Sequence, residues 1–161
     1  LIAGFTYAWI SWQSDNINIS GTSDCFDIDY GISQQIGSAS AKGSLEMSSS
    51  YTGGLSAKVS LALKSTCTNV PGTATLYLNT SSASANVLKG ALKYTVLKDS
   101  TVVSTGVISS SNKITLASNI DVSSTTPITY TVYVWLDGSI ADNSYANVTY
   151  NGYISAEAVS K

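Results

Sequence analysis

Leu55, Ala57, Val59, Leu61 and Leu63 fall on alternate positions, and Ser56, Lys58, Ser60 and Lys64 lie on the opposite parity. Period two is the mark of a strand with one buried face. Ile128, Tyr130, Val132, Val134 and Leu136 repeat the pattern against Thr129, Thr131 and Tyr133, and the run stops at the turn dipeptide Asp137-Gly138. Both runs are predicted as central strands facing one core. Shorter alternations follow at Phe26/Ile28/Tyr30, Ala74/Leu76/Leu78 and Ile114/Leu116, with a last strand from Tyr150 to Val159. Leu92 to Leu97 and Val102 to Ile108 flank Asp99-Ser100, which reads as a tight hairpin. Pro71 and Pro127 stand at strand entrances, where a missing N–H does least harm. About eight strands separated by polar turns predict an all-β, antiparallel β-sandwich.

The first twelve residues break this pattern. In Leu1 to Trp12 one parity carries Ile2, Ile10 and Trp12, and the other carries Leu1, Phe5, Tyr7 and Trp9. A strand apolar on both faces must be buried on both, because an exposed one invites aggregation. It is therefore either a central strand of its own sandwich or a strand lying in another subunit. The polar residues 13–16 read as a linker, and residues 17–161 as the sandwich body.

Composition narrows the chemistry. Ser and Thr fill 46 of 161 positions, while charged residues make up only 11%. There is no His and no Arg. Imidazole acid–base catalysis and His-ligated metals are thereby excluded. The guanidinium forks that usually hold phosphate or read guanine are missing too. With a net charge of -2, nucleic acid and anionic membranes are unfavourable partners. No apolar run is long enough to span a membrane as a helix. No initiator Met or basic segment precedes Leu1, so the chain reads as a mature exported product. Cys25 and Cys67 stand 42 positions apart. That spacing fits no zinc or redox motif and predicts one disulfide formed in an oxidising compartment.

Several smaller motifs carry candidate chemistry. Asn18-Ile19-Ser20, Asn79-Thr80-Ser81 and Asn147-Val148-Thr149 match the glycan-acceptor sequon. Asp24, Asp27 and Asp29 form one acidic group, and Asp137, Asp142 and Asn143 another. Neither matches a calcium loop, so they read as a strand's solvent face and a turn, and no metal or other cofactor is expected. Trp9, Trp12, Tyr133 and Trp135 could stack on a sugar, but an outward-facing Tyr133 and Trp135 more simply predict another layer over that face, supplied by a subunit contact. No Ser-x-x-Lys precedes a helix-like segment, and no feature selects a pair for a Lys–Asn isopeptide cross-link. The chain is not expected to be an enzyme.

Phe5-Thr-Tyr-Ala-Trp9, Tyr51-Thr-Gly-Gly54, Gly90-Ala-Leu-Lys-Tyr-Thr-Val96, Tyr133-Val-Trp-Leu-Asp-Gly138, Asn143-Ser-Tyr145 and Gly152-Tyr-Ile-Ser-Ala156 resemble segments of secreted surface proteins of Firmicutes. These are the TasA/camelysin group, exported with a SipW-type signal peptide. The likeness runs in patches over most of the chain. It implies a jelly-roll-like sandwich, export, and fibre assembly by donor-strand exchange. Camelysin is also described as a protease, but no protease motif stands here and that activity is not carried over. The archaeal threads and bundling pili are similar in plan. Type IV pilins are not, having a far longer apolar helix with an early Glu.

The reading that joins these observations is a structural subunit of an extracellular, cell-surface filament such as a pilus or biofilm-matrix fibre. Leu1, Ile2, Phe5, Tyr7, Trp9, Ile10 and Trp12 form the donor strand, expected to lie in the groove of a neighbouring copy of the same chain, head to tail, whereas a tail completing its own sandwich would give a stable monomer. The alternative is a monomeric cell-surface adhesive or carbohydrate-binding β-sandwich module.

Overall fold

A computed structural model describes residues 9–14, 25–29, 42–109, 112–146 and 148–161. Ten strands run through them: β1 Trp9–Ser14, β2 Phe26–Asp29, β3 Lys42–Ser48, β4 Leu55–Leu63, β5 Gly72–Ala83, β6 Leu92–Lys98, β7 Thr101–Val107, β8 Ile114–Val122, β9 Ile128–Asp137 and β10 Val148–Ser160. Among the described residues the only helical segments are short 3₁₀ turns. The expected all-β sandwich is what forms.

One sheet has the order β2-β4-β9-β6-β7 and the other β3-β1-β10-β5-β8. They meet through β3. Its early residues pair with β1, while Met47 and Ser48 pair in parallel with Leu136 and Asp137 of β9. A strand that switches sheets makes a corner of the sandwich. Every step from one described strand to the next changes sheet except the β6–β7 hairpin. The pairing is antiparallel apart from β3–β9 and β1–β10.

The two long alternations became adjacent strands. β4 pairs with β9 from Leu55↔Val134 to Leu61↔Ile128, and β6 takes the other edge of β9. Val59, Leu61, Val96, Val132 and Val134 face Leu76, Leu78, Leu116, Tyr150 and Ile154 across one core, all within a few per cent of full burial. The β6–β7 hairpin closes on Asp99-Ser100, with Lys98 opposite Thr101. Asp99 adopts φ 53, a left-handed conformation that Asp tolerates better than most residues.

The disulfide forms between Cys25 and Cys67, with Cα atoms 5.3 Å apart. It ties the start of β2 to the turn after β4, beside a bond from the Lys64 N–H to the Cys25 carbonyl of 2.9 Å. Phe26, 4% exposed, then packs onto Gly72. A Cβ on Gly72 would lie 2.1 Å from the Phe26 ring, so this approach requires glycine.

β8 is longer than the Ile114/Leu116 alternation predicts. Its register against β5 slips between Ile120↔Ala74 and Ala117↔Leu76, and Asn119 sits at φ 56. Such a bulge flips the parity of the side chains and hides the strand's continuation from a period-two count. β3 has its own short alternation, Gly43, Leu45 and Met47 against Ser44 and Glu46, which the sequence reading passed over.

Candidate assembly site: the slot filled by the first strand

β1 lies between β3 and β10. Trp9 to Gln13 pair antiparallel with Glu46 to Lys42, and Ile10 to Ser14 pair parallel with Val148 to Gly152. Ile10 is thus opposite Leu45 on one side and Val148 on the other, and Trp12 is opposite Gly43 and Tyr150. The flanking row is buried: Leu45 is 1% exposed, Val148 8% and Tyr150 0%. Gln13 and Ser14, read from the sequence as linker, belong to the ladder. Leu1, Ile2, Phe5 and Tyr7 lie outside the described residues.

The wall of the slot is built by the longest strand. In β10 the even positions from Val148 to Ala158 face the core and the odd positions face out. β5 bulges against it between Asn151 and Gly152. The Tyr150 hydroxyl shares a 2.6 Å hydrogen bond with Thr80 Oγ1 there. Burial pushes the Tyr150 phenol up to about 12, with the Thr80 bond working in the opposite sense. It therefore stays a neutral, hydrogen-bonding group throughout the ordinary pH range.

The aromatic residues separate into different places. Trp9 and Trp12 belong to β1, in the sheet opposite to β9. Tyr133 and Trp135 are half-buried on the outer face of β9. Their cover is the 3₁₀ turn Tyr51–Gly53. Tyr51 meets Tyr133 edge-on with ring centroids 5.0 Å apart, and a Cβ on Gly54 would lie 2.6 Å from the Trp135 Cβ. The Trp135 indole N–H donates to Thr95 Oγ1 at 3.2 Å, and Lys93 Nζ stands 5.6 Å from its ring centroid.

Lys93 also forms a 2.5 Å ion pair with Asp137 Oδ2. Asp137 accepts two further bonds, from the Ser139 N–H at 2.9 Å and the Ser139 hydroxyl at 2.7 Å. The Lys93 ammonium, with Ser139 second, holds the carboxyl down at about 2. Asp142 caps the next turn through the Ser144 N–H and hydroxyl. Among the described residues no group of three His, Cys, Asp or Glu side chains is placed to hold a metal.

Of the three sequons, Asn18 and Asn147 lie outside the described residues. Asn79 is half-buried in the middle of β5, where its amide donates to Ser155 Oγ at 2.8 Å. A cleft of about 600 Å³ opens between β7 and β8, lined by Val103, Ser104, Leu116, Asn119 and Tyr130, with Lys98 and Asp121 at its rim. Asp121 is paired with Lys161. Among the described residues no helix is long and apolar enough to cross a membrane.

No protein-family model, curated protein or solved structure matches the chain. The functional reading therefore rests on the slot itself. The sequence predicts the strand that needs cover and β10 on one side of it, but not β3 on the other. The Gly43/Leu45/Met47 alternation was the one signal that could have found β3.

Proposed function

We propose that the protein is a non-catalytic structural subunit of an extracellular filament, assembled head to tail by strand complementation. The observation that carries this reading is the position of β1. Among the described residues it is the one link between β3 and β10 within the β10 sheet. Taking it away leaves two strand edges bare and opens the row of Leu45, Val148 and Tyr150 to water. A slot with two open edges and an apolar floor is what β-augmentation requires: main-chain bonds supply affinity and alternate side chains supply fit. Repeated head-to-tail docking of this strand in a neighbour, if it does not close on itself, gives an open filament. The disulfide and the sparsely charged Ser/Thr coat suit an oxidising exterior.

Deleting residues 1–14 tests the proposal. The truncated protein should fail to form fibres by negative-stain microscopy, and a synthetic peptide of residues 1–14 should raise its melting temperature. Fibres that form without the strand would show that another surface makes the joint. A second reading, a cell-surface carbohydrate-binding module, draws on the half-buried Tyr133 and Trp135. Tyr51 and Lys93 already pack against these two rings, which leaves less room for a sugar. Quenching of Trp135 fluorescence by oligosaccharides, lost in Trp135→Ala, would favour it.

A further inference from the structure

The strand required by the proposed joint is docked here in the slot of its own chain. We infer that this docking in cis is a self-capped resting state, and that assembly is gated by release of β1 from its own slot. The inference rests on the filament reading and specifies how that joint is regulated.

Cis and trans docking exclude each other. The ladder from Ile10 to Ser14 on β10 and from Trp9 to Gln13 on β3 occupies the edges that a neighbour's strand would need. A neighbour's strand would make the same main-chain bonds to the same edges. The ladder alone therefore gives neither state an advantage, and the tether decides. Ten positions separate Ser14 from Cys25. Cys25 is clamped through its disulfide to Cys67, and β2 follows it directly on the edge of β4. The strand thus hangs from a fixed point on a connection spanning at most roughly 35 Å. Short tethers hold a segment at an effective concentration in the millimolar range. At micromolar subunit concentration the strand of the same chain then wins by roughly a thousandfold. Release also bares the edges of β3 and β10 beside the buried Leu45, Val148 and Tyr150. Free subunits should accordingly persist as closed monomers, and fibres should grow only where high local concentration, or contacts beyond this ladder, favour the neighbour's strand.

The register supplies the test. Ser11 stands directly opposite Ser44 of β3, a separation within the span of a disulfide. In a Ser11→Cys/Ser44→Cys double variant the new bond forms within one chain when β1 is in cis and between chains when it is in trans. Peptide mapping first confirms that Cys25–Cys67 is intact. Oxidised at micromolar concentration as freshly purified subunits, the variant should run as a monomer on a non-reducing denaturing gel. The locked protein should not add to fibre seeds, and mild reduction should restore growth, with reduced wild type as the control. Oxidation of assembled fibres should instead give a ladder of covalent oligomers. A ladder from fresh subunits, no cross-link in them at all, or undiminished growth of the locked protein would overturn the gate while leaving the filament reading standing. Failure of the unlocked variant and wild type to form fibres at any concentration would overturn both.

Discussion

Asp137 offers a direct test of the electrostatics at the end of β9. Its carboxylate is 12% exposed, Lys93 is 25% exposed, and their ion pair is 2.5 Å long. The pair and the two Ser139 bonds lower the carboxyl from 3.8 to about 2. Each tenfold change in proton affinity is worth about 1.4 kcal/mol, so full expression of that drop would stabilise the fold by about 2.5 kcal/mol. Water reaches the lysine, and screening reduces this to between about 1 and 2 kcal/mol. The sign follows from linkage: a carboxyl held lower in the folded state contributes fully above its unfolded value. That contribution is lost as pH falls through 3.8 towards 2. Asp137→Asn keeps the shape and removes the charge. Urea unfolding followed by tryptophan fluorescence should show it less stable than wild type by about 1–2 kcal/mol at pH 7. Most of that difference should be gone by pH 2. A deficit of the same size at both pH values would refute the ionic account and leave only lost packing. Lys93→Met and the double variant complete a cycle, in which the coupling should likewise fade with acid.

Three further outcomes are expected. Leu61→Asp or Val134→Asp, each placing a charge at a site 1% or less exposed, should cost several kcal/mol, and an unchanged melting temperature would contradict the shared core. Non-reducing peptide mapping should recover Cys25 joined to Cys67, and Cys25→Ser/Cys67→Ser should lower stability by up to about 4 kcal/mol; two alkylatable thiols in the native protein would rule the bridge out. The intact mass of the reduced, denatured chain should equal the sequence mass, with Lys93 and Asp137 held as an ion pair; a deficit of one water located to these two residues would show an amide bond instead.

The elements that the sequence revealed are those that bury one face against one partner layer. β4 and β9 do this over their whole length, so their alternation is unbroken. The β6–β7 hairpin was legible because its turn is local, with Lys98 and Thr101 only three positions apart. β8 was shortened in the reading because the slip around Ser118 and Asn119 reverses its parity. β3 is hard to read from sequence because it is short, carries only Leu45 and Met47 as large apolar residues, and is shared between two sheets. The outward Tyr133 is met within the chain by Tyr51, some eighty positions away, and nothing local in the sequence links them. The candidate site was half legible for the same reason. That Leu1 to Trp12 must be covered on both faces follows from its own residues. That the described part of it sits between β3 and β10 depends on pairings such as Trp12 with Tyr150, across most of the chain.

Those pairings explain why this fold needs a strand at this place, whichever chain supplies it. β10 is held along β5 from Gly72 to Ala83, yet its Val148 to Gly152 segment has a second edge that the body does not pair. Among the described residues β3 pairs with the β9 sheet through Met47 and Ser48, and its Lys42 to Glu46 segment pairs with β1. The chain's repeated crossing between sheets leaves both edges side by side at one corner, one strand-width apart. β1 satisfies both ladders and closes the core in a single step. Its own body and a neighbour's offer identical edges, so the fold's requirement and the proposed joint are one interaction. Monomer and filament then differ in the connectivity of that strand rather than in its pairing. The balance between them is set by tether length, subunit concentration and any contact the neighbour adds. Shortening the connection between Ser14 and Cys25 should therefore shift the balance towards fibres, by making the cis strand unable to reach its slot without changing a single residue of the ladder.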